Sequence, residues 1–185
     1  LYDALLQERS RLQAVLEQMP AGALIGEAPS GRLILGNRQA ASIWRVPDMH
    51  ADTIAEYGQF RGLFPDGRAV AAEDWPLARA LQGTTVRDEE IVILRRDGTR
   101  AITLQSAAPI RDHQGRIVAG VVIFADITER KQAEQERDRL LAEVQREAGA
   151  RQAYIERQNT LLRVSSEVLK ETTAQGLLQA VADAA

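Results

Sequence analysis

Paired carboxylates are the residue types in this sequence best suited to acid–base chemistry, and they fall together at Asp88-Glu89-Glu90. Adjacent side chains on a strand point to opposite faces, so only Asp88 and Glu90 share one. No histidine, cysteine or glycine-rich loop stands nearby, and a solvated strand edge accounts for all three, so no catalytic residue is assigned. His113 belongs to the turn Asp112-His113-Gln114-Gly115, where a solvated polar role suffices, and His50 lies in an irregular stretch; no metal site is assigned. Gly26 and Gly31 form no phosphate-binding pattern, and neither a Walker loop nor a dinucleotide fingerprint is present. Cysteine is absent, which removes a thiolate nucleophile, a disulfide framework, a Cys-ligated zinc or iron–sulfur centre, and any cysteinyl adduct to a flavin or chromophore.

The bulk composition narrows the class. The chain has 185 residues, 45% of them apolar and 26% charged, with a net charge of −3. That length suits one domain of about 100–150 residues plus roughly fifty more. The lack of cysteine fits a reducing, cytoplasmic setting, and the mild acidity offers no footprint for nucleic acid. The longest apolar run, Ala119–Ala125, is far shorter than the roughly 20 residues a bilayer demands, so no membrane partner is expected for this segment. Opening on Leu1 and stopping at Ala185 within an alanine-rich helical pattern, it reads as a piece of a longer polypeptide.

The elements fall into three zones. Apolar residues Leu5, Leu12 and Met19 recur every seven positions, with Leu16 three before Met19, which predicts an amphipathic helix over Leu1–Met19 stopped by Pro20 and Gly22. The middle zone predicts strands at Ala21–Glu27 and Arg32–Gly36, joined by Pro29-Ser30-Gly31. A short helix follows, N-capped by Asn37, and a second spans Asp74 to Gly83 with Asp74 as its N-cap. Between them, Val46 to Ala72 shows no periodicity. Three strands close the zone at Val86–Arg95, Thr99–Ala107 and Arg116–Ala125, linked by Asp97-Gly98 and by the His113 turn. The last is apolar on both sides and therefore must be covered on both, by the leading helix or by a partner chain. From Thr128 no proline intervenes, and Leu141, Ala148, Ile155 and Leu162 recur every seven residues, with Val144 three after Leu141; a helix of about 35–45 residues with a narrow coiled-coil seam is predicted. It contains no histidine to accept a phosphoryl group, so the segment is not itself a kinase.

Two strands, small helices, a three-stranded meander and the exit Asp126-Ile127-Thr128-Glu129-Arg130 resemble, in that order, a PAS domain. The resemblance is carried by Leu24-Ile25 with Gly31-Arg32-Leu33-Ile34 and Asn37, by Trp75-Pro76-Leu77-Ala78-Arg79-Ala80-Leu81-Gln82-Gly83, by Arg95-Arg96-Asp97-Gly98, and by Ala108-Pro109-Ile110-Arg111-Asp112. It covers about Leu12 to Glu134, in the variant common in bacterial sensor kinases. It implies an α+β fold, a five-stranded antiparallel sheet with small flanking helices, cupping a pocket. The amphipathic helix precedes the sheet and the long coiled-coil helix follows it.

The implied layout is a dimerisation helix over 1–19, the sensor domain over 20–127 and a signalling coil over 128–160. Residues 161–185 either open a GAF domain, which Leu161 to Val181 resembles, or continue the helix. Pocket residues are expected at Trp44, Tyr57, Phe60 and Trp75, and on the strands at Val92, Leu94, Leu104, Val121 and Ile123. The signal is expected to leave through Asp126–Arg130, and the dimer seam to comprise Leu5, Leu12, Leu16, Met19, Leu141, Val144, Ala148, Ile155 and Leu162.

No cofactor or an unknown small molecule is expected. Haem is disfavoured because neither histidine sits on the helix that carries the ligand in haem-binding relatives, and noncovalent flavin is disfavoured because core packing accounts for the aromatics. The expected partners are a second copy and an output domain of the same polypeptide, a GAF domain, a kinase or a cyclase. The parent would then be a histidine kinase or a cyclic-dinucleotide enzyme. The rival reading is a ligand-free structural dimerisation adaptor.

Overall fold

The computed structural model describes the backbone of residues 2–182 and the side chains of residues 7, 10, 11 and 13–166. Two compact units divide the chain, residues 1–132 and 133–185.

The first unit begins with helix α1 (Tyr2–Gln18), after which Pro20 and Gly22 turn the chain into β1 (Gly22–Glu27) and the hairpin partner β2 (Leu33–Gly36). At the hairpin tip Gly31 adopts φ +82, and a Cβ there would come within 2.4 Å of Ile54 Cγ1. Asn37 caps α2 (Arg38–Trp44) as its sequence position predicts, and it does more. Its buried carboxamide accepts from the N–H groups of Ala23 and Ala40 and donates to the carbonyls of Leu16 and Ala21. One side chain thus ties the end of α1 to β1 and α2.

The stretch without periodicity holds a 3-10 helix (Ile54–Gln59), the short strand β3 (Arg61–Leu63) and a single 3-10 turn (Ala72–Asp74). Helix α3 (Pro76–Leu81) follows, its N-cap position held by Trp75 without a side-chain cap bond and not by Asp74, whose carboxylate instead pairs with Arg68 at 3.0 Å. The meander β4 (Val86–Leu94), β5 (Arg100–Arg111) and β6 (Ile117–Asp126) completes an antiparallel sheet of order β2-β1-β6-β5-β4-β3. Six strands form where five are expected, because β3 is three residues long and too short to show alternation.

The concave face of the sheet carries Leu24, Ile91, Ile93, Val122 and Phe124, all buried beneath α2, α3 and the 3-10 segments. A bulge between Val86 and Glu89, with Asp88 at φ 49, keeps Val86 and Ile91 on that same buried face despite their opposite parity. Strand alternation sends the two glutamates to different helices: both Glu89 carboxylate oxygens accept from Arg79 Nη1 of α3, while Glu90 meets Lys131 at 2.6 Å. Asp88 is held by Ser106. All three carboxylates therefore have structural partners.

Helix α4 (Thr128–Ala182) begins in the first unit and provides the second. It is 55 residues long and continues beyond the expected 35–45, since neither Gly149 nor Gly176 stops it and no proline occurs. Residues 161–182 belong to this helix, an arrangement common to both alternatives for that stretch. Leu141, Val144, Ile155 and Leu162 are 43–66% exposed on it, and Ala148 is also exposed. Leu16 of α1 and Met19 just past its end are half-buried, whereas the side chains of Leu5 and Leu12 lie outside the described residues.

Candidate functional site

A cavity of about 30 Å³ lies between the concave face of the sheet and the helical layer. Trp44 at the end of α2, Tyr57 and Phe60 around the 3-10 helix, and Trp75 before α3 form an aromatic wall, with Trp44 5.4 Å from Phe60 and 5.8 Å from Trp75 between ring centroids. Leu24, Val122, Phe124 and Gln105 supply the floor. The four aromatics expected at a pocket come together there.

The five strand residues expected beside them do not. Val92, Leu94, Leu104, Val121 and Ile123 belong to the other face of the sheet, with Ile123 42% exposed, because the buried set is Ile91 and Ile93 on β4, Thr103 and Gln105 on β5, and Val122 and Phe124 on β6. The reason is local. On β5 the inward residues Thr103 and Gln105 are more polar than the outward Ile102 and Leu104, so hydrophobicity alone points to the wrong face. That inversion is the sequence signal that would have found Gln105.

Thr103 and Gln105 form a buried chain. Gln105 Nε2 donates to Thr103 Oγ1 at 2.9 Å, and Thr103 Oγ1 donates to the Ile91 carbonyl at 2.9 Å. Gln105 is the polar side chain in the cavity lining besides Tyr57 and Trp75. Trp75 Nε1 is a buried donor without a hydrogen-bond partner. Such an orphan costs about 1–3 kcal/mol. Tyr57 is satisfied, donating its hydroxyl to the Gly31 carbonyl at 2.6 Å, and burial pushes its pKa up to about 12. Trp75 has a close glycine neighbour in Gly62 of β3, where a Cβ would stand 2.7 Å from Trp75 Cη2. Only a glycine lets β3 pass beneath that ring.

The exit residues form a latch at the end of β6. Asp126 accepts from the Thr128 N–H at 2.9 Å and from the Thr128 hydroxyl, while Thr128 Oγ1 in turn accepts from the Ile102 N–H at 2.9 Å. Ile127 is buried, and its N–H donates to the Ile102 carbonyl. Arg95 joins the latch from β4's end: one guanidinium nitrogen holds Asp126, and Nε donates to the Ile43 carbonyl of α2 at 2.7 Å. Burial tends to raise the Asp126 carboxyl, but the Thr128 and Arg95 contacts together outweigh it and hold its pKa below the usual carboxylate range. Glu129 and Arg130 lie on the exposed side of the first turn.

A family model described as the PAS fold matches residues 16–132. Among curated proteins none matches this sequence. Of solved structures, an RNA-binding light-oxygen-voltage receptor superposes with a TM-score of 0.54 at 18% identity, covering 76% of this chain and 38% of the receptor. The chain thus spans well under half of that protein. The PAS domain of an HTR-like protein from Haloarcula marismortui gives a TM-score of 0.49 at 20% identity, covering 68% of this chain and 97% of that domain. The PAS domain of Bordetella pertussis BvgS gives 0.47 at 19%, with coverages of 75% and 98%.

Proposed function

Because this chain belongs to the PAS fold family, we propose that it is the sensory module of a bacterial, cytoplasmic signalling protein in which occupancy of the aromatic cavity sets the state of α4. The domain itself is a non-catalytic sensory unit. The observation that carries the reading is a continuous chain of contacts from cavity to exit. Trp75 packs on Trp44, the neighbouring Ile43 carbonyl is held by Arg95, Arg95 holds Asp126, and Asp126 holds the first residue of α4. A shift of the aromatic wall would be felt at Thr128 without crossing any loop.

The cavity favours a small ligand. About 30 Å³ admits one or two water-sized groups, whereas a flavin or haem would have to displace the aromatic wall. The ligand class that fits is small and largely apolar, with one acceptor for Trp75 Nε1 and, where present, one donor for Gln105. Downstream, α4 is proposed to pair with its copy in a second chain through the exposed Leu141, Val144, Ile155 and Leu162 seam, Ala148 being its weak point. It would hand the signal to an output unit of the same polypeptide: a GAF domain begun by 161–185, then a histidine kinase or a cyclic-dinucleotide enzyme.

The test is native mass spectrometry of the full chain as purified, beside its Trp75→Phe variant. A small molecule retained by the parent and lost by the variant, with circular dichroism unchanged, is the expected result; neither chain retaining anything would contradict ligand sensing. That outcome would favour the second reading, which the small cavity volume supports: a PAS core serving as a ligand-free dimerisation adaptor.

A further inference from the structure

Outside the aromatic cavity, a second and much larger recess opens where β3, β4 and β5 end beside α2. Its volume is about 680 Å³, within the roughly 300–1,000 Å³ of small-molecule sites. Sheet register builds its charged wall. Arg61 of β3 lies opposite Leu94 of β4, and Leu94 lies opposite Arg100 of β5, so two guanidiniums flank one leucine in a single cross-strand row. At about 4.8 Å per strand their backbones are roughly 10 Å apart. Arg96 adds a third cation from the β4–β5 hairpin. The row runs against the usual arrangement, in which an acidic residue answers a basic one across the strands.

None of these three arginines has a carboxylate partner among the described residues, whereas the arginines around them do. Arg45 is paired with Asp97 at 2.6 Å, and Arg95 with Asp126. The recess contains one carboxylate, Asp48, whose Oδ1 already accepts from the Met49 N–H. Its remaining wall joins apolar Trp44 and Phe60, both shared with the inner cavity, and Val46 and Met49 to the polar His50 and Gln59. The chain as a whole is acidic at −3, so this concentration of unpaired guanidinium is a local feature and not a reflection of composition.

We infer that this recess is a binding site for a small organic anion with a flat apolar body, its carboxylate or phosphate held by Arg61, Arg96 and Arg100 and its ring laid against Trp44 and Phe60. Guanidinium suits the role because its planar fork meets either anion in a bidentate manner and stacks well beside aromatic faces. A ring of that size cannot enter the inner cavity as it stands, so the site is distinct from it and does not depend on the cavity being a sensor. Both sites nevertheless share Trp44, whose neighbour Ile43 is held by Arg95. An anion here would therefore press on the same wall from outside.

The test is equilibrium dialysis of the full chain against 2-naphthoate, 2-naphthyl phosphate and the neutral 2-naphthylmethanol, at low and high salt. Saturable one-to-one binding of at least one anion is expected, with the neutral analogue weaker by about tenfold or more and the anion's affinity falling as salt rises. The double variant R61A/R100A should lose about tenfold in affinity, R61K/R100K should lose less, and R38A/R87A, which removes the same charge elsewhere on the surface, should bind as the parent does. Which anion binds more tightly separates a carboxylate from a phosphate ligand. Equal binding of the neutral analogue, equal losses in R61A/R100A and R38A/R87A, or no saturable binding of either anion would overturn the inference.

Discussion

Asp126 is the residue on which the exit turns, because it touches both Arg95, just past β4, and the first residue of α4. Its carboxyl is held below the usual range, so the ionised form is favoured in the folded state. A depressed folded value stabilises the fold at pH above the unfolded value of about 3.9, and that contribution disappears as pH falls through the lower folded value. Asp126→Asn removes the titrating group. Urea midpoints of parent and variant should therefore differ by a constant amount above about pH 5 and converge as pH drops below about 4. A gap independent of pH would mean that the carboxylate's charge plays no part in the latch. The exit pair Asp126 and Thr128 was legible from sequence because a short polar side chain two residues before a helical N–H makes a local bond. Arg95 was not, since its two partners, Ile43 and Asp126, are 52 and 31 residues away and no local pattern links them.

At the scale of elements, the meander, the hairpin turns and the α2 cap follow from period-two patterning, Asp-Gly chemistry and one asparagine. Strand facing does not. On β6 both sides are apolar, on β5 the inner side is the more polar, and on β4 the Asp88 bulge changes parity midway. Facing there is decided by what α3 and the 3-10 segments cover, which is a tertiary fact. The assignment has a direct energetic consequence. Ile91 is fully buried, so Ile91→Ala should destabilise the domain by about 2–5 kcal/mol, whereas Ile123→Ala, on the outer face and 42% exposed, should cost less than about 1 kcal/mol. Equilibrium urea unfolding measures both, and equal costs would mean that β6 is inverted. The aromatic wall was readable for a different reason. Tyr57 and Phe60, in a stretch rich in Gly and Pro, have no strand or long helix face to fill, and they close over the sheet with Trp44 at the end of α2 and Trp75 before α3.

For the whole molecule, the central claim is that the cavity wall and the start of α4 are one mechanical unit, with the second unit reporting its state through pairing. The exposed seam on α4 gives this a prediction in solution. Light scattering at tens of micromolar should give a dimeric mass for the parent and a monomeric one for Leu141→Lys/Leu162→Lys, since a charge at two seam positions removes the apolar contact. A dimer that survives both changes would place the interface elsewhere. Relay from the cavity can be tested without knowing any ligand. Gly62→Ala puts a methyl 2.7 Å from Trp75 Cη2 and displaces the ring that packs on Trp44, while Gly58→Ala, where nothing lies within 4 Å, adds a methyl without that push. The decisive measurement is amide hydrogen exchange at Thr128 and Lys131, whose N–H groups are bonded to Asp126 and Ile127. The account predicts that exchange there rises at least about fivefold in Gly62→Ala and not in Gly58→Ala, under conditions where global unfolding is too rare to contribute. Faster exchange confined to β3 and the Trp75 segment, with the exit amides as protected as in the parent, would contradict it.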